Sequence, residues 1–274
     1  MKKKTGLNRN NNEKYYTKPC VVYHCIQSIK SIIKINFEND IIIEPSAGNG
    51  SFIKTIKELC KNYKFYDLYP ENIEIIKQDY LNLKTDIFEK YNKIHMIGNP
   101  PFGRQSSLAI KFIKKSCMFC DTISFILPKS FMKESRKRTF SLYFHLVFEK
   151  VLPIESFIIN NKSYNVPCVF QIWKKKNYKR EKIKKLKPVN YKFVKKNETP
   201  DISFRRVGVY AGKVDKEIEN KSPQSHYFIK FNNVFTEDLF KKIKFISYKS
   251  SEYTVGPKSI SKQELIKELN KFTQ

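Results

Sequence analysis

The run Ile41-Ile42-Ile43-Glu44 that opens into Pro45-Ser46-Ala47-Gly48-Asn49-Gly50 limits the folds available to this chain more than any other segment. A short apolar run that stops at turn residues reads as a strand buried on both faces, and such strands belong to sheets covered by helices on either side. Gly48 and Gly50 let the backbone after the strand come close to a ligand, and Glu44 places a carboxylate at the strand's end. A second segment, His95-Met96-Ile97-Gly98-Asn99-Pro100-Pro101-Phe102-Gly103, is a strand that ends in an amide, two residues of fixed φ and an aromatic ring. The first arrangement suits a nucleoside cofactor. The second sets hydrogen-bond acceptors beside a stacking surface, which suits a planar base carrying an amino group.

Glu44-Pro-Ser-Ala-Gly-Asn-Gly50 followed by Asn99-Pro-Pro-Phe102 resembles the S-adenosylmethionine-dependent amino-methyltransferases, in particular the adenine-N6 enzymes of DNA in which cofactor binding precedes catalysis and target recognition comes last. The resemblance covers about residues 13–175. It implies a class I, Rossmann-like α/β fold with a doubly wound, mostly parallel seven-stranded sheet. Outside it, residues 1–12 are basic and Asn-rich without apolar periodicity and read as a disordered arm, and the lysines over 174–196 read as a linker or polar surface segment; residues 176–274, with this Lys-rich linker, are expected to form a small recognition module. An ordinary α/β strand-turn followed by an unrelated Pro-Pro loop is the alternative reading of the same residues.

Lys and Arg total 53 against 26 Asp and Glu, a formal net charge of +27. So large an excess is foreign to enzymes of small metabolites and points to a polyanionic partner. Nucleic acid is the expected one, with DNA favoured and RNA a rival; codon bias from an AT-rich genome, which raises Lys, Asn and Ile together, accounts for part of the excess. The six cysteines are scattered, and only Cys117-Met-Phe-Cys120 has a metal-like spacing with no second pair to answer it, so no metal is expected. No apolar run reaches the length of a membrane span and the N-terminus has no signal-peptide pattern, so a soluble, cytoplasmic monomer is expected, with the nucleus left open.

The pattern along the chain predicts alternating helices and strands. Helices are expected over 15–35, 51–62, 71–77, 106–119 and 137–145. Strands are expected at 41–43, 65–67, 95–97 and 122–127, with a closing hairpin built from 155–160 and 167–173. Beyond the linker, Ile202–Val209 and Tyr227–Phe231 read as strands, and Ser261-Lys-Gln-Glu264 as a capping box that opens the last helix.

The nitrogen of an aromatic amine is a poor nucleophile because its lone pair is delocalised. The Asn99 side-chain oxygen and the Pro100 carbonyl can both accept from such an amino group and localise that pair, Pro101 helps hold the carbonyl in place, and Phe102 offers a stacking face. The resemblance implies that Glu44, Pro45, Ser46, Ala47, Gly48 and Gly50 hold the methionine part of S-adenosylmethionine, and that Asp67 takes the ribose hydroxyls. It further implies that Asp79 accepts from the cofactor's adenine amino group while Tyr80 packs on its ring. Tyr16 and Thr17, in Tyr15-Tyr-Thr-Lys-Pro19, resemble the family's N-terminal cofactor motif. Tyr164 is the expected aromatic opposite Phe102. Arg104, Lys129, Arg136, Lys137, Arg138, Arg205 and Arg206 are the basic residues expected to contact nucleic acid. For Asn99 an Asx turn, for Asp79 a helix N-cap and for Tyr164 a plain surface loop are the structural alternatives.

Overall fold

A computed structural model describes residues 15–274; the expected basic arm over 1–12 lies outside the described residues. The described chain forms two compact units, one ending at Lys182 and the other spanning Ile183–Gln274, so the division falls within the Lys-rich segment.

The first unit holds β1 (Tyr16–Thr17), α1 (Pro19–Ile32), β2 (Ile41–Glu44), α2 (Ile53–Lys57), β3 (Tyr63–Asp67), β4 (Ile76–Lys77) and β5 (Ile94–Gly98). It continues with α3 (Ser107–Phe119), β6 (Thr122–Pro128), α4 (Glu134–Lys137), β7 (Phe144–Val151), β8 (Phe157–Ile159), β9 (Lys162–Tyr164) and β10 (Cys168–Lys175). Seven strands form one sheet in the order β4-β3-β2-β5-β6-β10-β7, parallel except for β10, which runs against both β6 and β7. This strand order, with helices between parallel neighbours, is the class I Rossmann-like methyltransferase fold that the two motifs imply.

Every residue of β2, β5 and β6 is buried, which is why these strands read as continuous apolar runs. The chain winds away from β2 toward β3 on one side and toward β5 on the other. Ligands of open α/β sheets sit at such a reversal, beyond the carboxyl ends of the strands. Glu44 ends β2 and Gly98 ends β5, so the fold brings the two motif segments to that one crevice.

Three expected elements differ. Residues 71–77 do not form a helix: the Asn72 side chain accepts from Glu74 N in an Asx turn, and Ile76–Lys77 pairs with Tyr66–Asp67 as β4. The expected helix over 137–145 stops at Lys137, and Phe144 begins β7. Consequently the hairpin that closes the sheet joins β7 to β10. Residues 157–164 instead form a separate three-stranded sheet with β1, turning at Asn160-Asn161, both of positive φ.

The second unit has a four-stranded antiparallel sheet, order β11 (Tyr191–Val194), β14 (His226–Phe231), β12 (Ile202–Arg205), β13 (Val214–Asp215), followed by α5 (Glu237–Lys244) and α6 (Lys262–Thr273). Its own core includes Phe204, Ile229, Leu265 and Leu269. The Ser261–Glu264 capping box opens α6 as its sequence predicts.

Candidate active site

Asn99 follows directly on β5. Its Nδ2 donates to the Tyr15 carbonyl at 3.1 Å and faces Thr17 Oγ1 at 3.4 Å, and these two acceptors decide which end of the amide is nitrogen. The remaining Oδ1 is buried and has no hydrogen-bond partner among the described residues. A buried acceptor left unpaired costs about 1–3 kcal/mol, and this oxygen can take a hydrogen bond from a donor brought to the strand end. Asn99 is thus held by tertiary bonds rather than by an Asx turn.

The β2 loop is tied to the same point. Ser46 Oγ donates to the Asn99 carbonyl at 3.1 Å, joining the two motif segments directly. Ala47 N donates to Tyr66 O, and Gly48 N donates to Asp67 Oδ2 at 2.8 Å. Gly48 sits at φ +56°, which strains any other residue, and a Cβ there would lie 3.3 Å from the Tyr16 ring and press on it. The Tyr16 hydroxyl in turn donates to Glu71 at 2.6 Å; burial, then this bond, pushes its pKa up. Buried Pro45 and Ala47 line the turn behind Gly48.

Asp67 spends one lone pair of each oxygen on the backbone, accepting from Gly48 N and from Tyr69 N, both at 2.8 Å. Each oxygen retains a second lone pair, which matches a vicinal diol. Glu44 is fully buried, and burial together with the nearby Asp67 raises its carboxyl well above the ordinary range. Its Oε2 is likewise without a partner. That idle oxygen, at the end of the strand that leads into the Gly48 turn, can accept from a ligand's ammonium group.

That raised pKa gives a first testable outcome. The folded protein retains a proton on Glu44 that the unfolded chain releases above the usual Glu value of about 4.3, so ligand-free stability should decline as pH rises from there toward the folded pKa. Glu44→Gln should flatten the decline and raise the midpoint of thermal unfolding near neutral pH by about 3 °C, roughly 1 kcal/mol. Calorimetry across this pH range reads both effects.

Other expected positions fall differently. Tyr80 is 2% exposed, inside the main core, with its hydroxyl bonded to Ser116; it cannot pack on a cofactor ring. Asp79 caps the short turn that starts at Tyr80, its carboxylate accepting from Leu81 N and Asn82 Nδ2, which is the N-cap alternative. Tyr164 does not oppose Phe102. The ring parallel to Phe102 is Tyr15, at 6.4 Å between centroids and 17° between planes, with Tyr164 on Tyr15 at 5.6 Å and Phe157 edge-on at 6.2 Å. Tyr15 is therefore the ring beside Phe102 that the sequence left unassigned. Only its position beside Tyr16-Thr17 hinted at it, because its neighbours come from β8 and β9.

Among the basic residues, Arg104 is exposed on the turn after Gly103 and Lys129 follows β6. Lys137 pairs with Glu149 at 3.2 Å, while Arg136 and Arg138 lie in or just after α4. Arg205 and Arg206 belong to the second unit. Among the described residues no group of His, Cys, Asp and Glu could hold a metal ion, and no helix is long and apolar enough to cross a membrane.

A family model, the EDM2 methyltransferase-like domain, matches residues 38–199, more than half of the chain. The chain belongs to this family. The EDM2-like match includes Glu44–Gly50, Asp67 and Asn99–Phe102, and leaves Tyr15–Thr17 and most of the second unit outside. Protein ENHANCED DOWNY MILDEW 2 of Arabidopsis thaliana is 30% identical over 115 residues, 38% of this chain and 9% of that protein, so the chain spans a small part of the curated relative it matches. Among solved structures, a candidate RNA methyltransferase of Pyrococcus horikoshii aligns with TM-score 0.48 and 16% identity over 62% of this chain and 90% of its own. N-methyltransferase NodS of Bradyrhizobium japonicum, in complex with S-adenosyl-L-homocysteine, aligns with TM-score 0.39 and 12% identity over 57% and 85%. Both scores are below 0.5, and it is the strand order of the sheet that fixes the fold.

Proposed function

We propose that this chain transfers a methyl group from S-adenosylmethionine to an exocyclic amino group of a nucleic-acid base, with N6 of adenine in DNA as the target. The unpaired, buried Asn99 Oδ1, three residues before Phe102, carries the reading. Asp67, Glu44 and the Gly48 turn would hold the cofactor by its diol and its methionine end. S-adenosylmethionine, when bound, supplies an electrophilic methyl group on a sulfonium.

The protein's part is positioning. Asn99 Oδ1 and the Pro100 carbonyl accept the two amino hydrogens, which draws the nitrogen toward a pyramidal form and localises its lone pair. That pair would then be free to take the methyl group that bound S-adenosylmethionine supplies, with one amino proton leaving to solvent. Phe102 and Tyr15 grip the base. The two rings are near-parallel, with centroids 6.4 Å apart. A base stacked in a duplex cannot reach this crevice, so the target must be flipped out or single-stranded.

Tyr15→Ala should weaken binding of an oligonucleotide with an unpaired target adenine by roughly 1–3 kcal/mol, the value of one base–aromatic stack, and Tyr15→Phe should restore it. The backbone carbonyl that orients Asn99 survives both changes. With 2-aminopurine as the target, fluorescence titration measures the loss.

The same acceptor pair would serve a protein glutamine amide, but the aromatic walls and the net charge of +27 favour a base. Tritiated methyl transfer to matched DNA and RNA oligonucleotides, followed by nucleoside analysis, tests the reading. N6-methyladenine from DNA is expected. Label only in RNA would move the substrate to RNA, and label only in a protein glutamine would overturn the nucleic-acid reading.

A further inference from the structure

The second unit carries a cationic pocket that the transfer chemistry does not use. It has a volume of about 780 Å³ and is lined in part by Phe193, Tyr227, Lys195, Lys196, Arg206 and Lys262, with no acidic residue in its lining. Phe193 and Tyr227 meet edge to face at 5.7 Å, both partly exposed. Lys262 Nζ lies 4.7 Å from the Phe193 ring centre and 5.6 Å from that of Tyr227, and the Arg206 guanidinium lies 5.6 Å from Tyr227.

What sets these charges apart is that they line one pocket together with two aromatic rings. Lys213, Lys216, Lys221, Lys242, Lys258 and Lys271 of the same unit each sit within salt-bridge distance of a carboxylate. Lys195, Lys196, Arg206 and Lys262 make no ion pair among the described residues. Arg206 is instead held by donating to the Gln224 carbonyl at 2.7 Å, and Lys196 donates to the Glu219 carbonyl. Neither contact neutralises the charge. Like charges lining one pocket without ion pairs repel one another, and an anion relieves that repulsion. Aromatic faces within the same pocket call for an anion that carries a flat ring.

We infer that this pocket binds one nucleotide of a single strand, its base on Phe193 and Tyr227 and its phosphates on Lys195, Lys196, Arg206 and Lys262. The inference rests on nucleic acid being the partner, but on neither the methyl acceptor nor Asn99. A lysine over an exposed ring is a weak contact, so Lys262 can give up the ring face to the base and turn to the phosphate. The consequence is a second hold on the strand, on a different unit from the methylating crevice.

Fluorescence anisotropy of the full chain with labelled single-stranded DNA, single-stranded RNA and duplex DNA, each over a range of salt, tests the site. Lys262 is the first residue of α6, where an acidic side chain suits the helix end, so Lys262→Glu keeps the fold. It should weaken single-strand binding at least about tenfold and flatten the log-log salt slope by about one. Phe193→Leu, which keeps apolar bulk but no aromatic face, should weaken it about fivefold. Lys267→Glu, the same charge change on an exposed part of α6, should stay within about twofold of the wild type. Equal losses for Lys262→Glu and Lys267→Glu, an unchanged Phe193→Leu, or binding of duplex alone would each overturn the inference. Tighter binding of one single strand assigns the sugar. Retained losses in a protein that methylates no nucleic acid would uphold the pocket and defeat the proposed reaction, while methylation with wild-type binding by both pocket variants would do the reverse.

Discussion

Asn99→Ala should lower methyl transfer at least a hundredfold while weakening cofactor binding only a few-fold, because it deletes the proposed acceptor for the reacting nitrogen and reaches the expected cofactor residues only through the 3.4 Å contact with Thr17. Removing the side chain also frees Thr17 Oγ1 and the Tyr15 carbonyl, so folding must be checked by thermal unfolding. Asn99→Asp separates the two contributions. A carboxylate keeps the acceptor but meets the Tyr15 carbonyl and Thr17 with oxygen where the amide offered hydrogen. Its activity should therefore fall between wild type and alanine and recover at lower pH as the carboxyl gains a proton. Single-turnover kinetics with saturating cofactor, alongside calorimetric titration, reads the split. Loss of cofactor binding in a folded Asn99→Ala protein would mean that Asn99 serves the cofactor instead.

How far the chain could be read before its structure depended on whether an element is specified locally. Strands β2, β5 and β6 are buried on both faces, so their sequences are unbroken apolar runs, and two of them end in the motifs that define the crevice. Strand β7 is only half-buried and charged at its end, Phe-His-Leu-Val-Phe-Glu-Lys-Val, and follows a four-residue helix, so its period is blurred and the closing hairpin is assigned one element too late. Asn160-Asn161 is a turn signal weaker than Asn-Gly, which hides the small β8–β9 sheet. Tyr80 shows the opposite failure. Asp79-Tyr80 matches a motif by type, yet the tyrosine lies inside the core with its hydroxyl satisfied by Ser116. A ring in a motif and a ring in a core look alike until the packing is known. Tyr15 could not have been assigned, because the Phe102 ring it faces lies on a different strand-end and only the folded sheet brings them together.

Replacing Asp67 should produce the second large effect, on the opposite kinetic parameter. Its carboxylate accepts from Gly48 N and Tyr69 N to hold the β2 loop and leaves one lone pair on each oxygen open, where the proposed diol would bind. Hydrogen bonds to a charged acceptor contribute about 1.5–3 kcal/mol each, so losing two of them should weaken cofactor binding at least about a hundredfold. Asp67→Ala also orphans two backbone donors and loosens the turn at Gly48. Asp67→Asn is the sharper test, since it matches the carboxylate in size yet turns one oxygen into an NH₂ group that faces a backbone N–H. Whichever way that amide turns, either Gly48 N or Tyr69 N meets a donor, so the isosteric change should cost nearly as much affinity as the truncation. The rise should appear in Kd and in the KM for cofactor, with turnover at saturation reduced far less than in Asn99→Ala. If calorimetry found Asp67→Asn binding the cofactor as tightly as the wild type, the diol would have to be held elsewhere in the crevice.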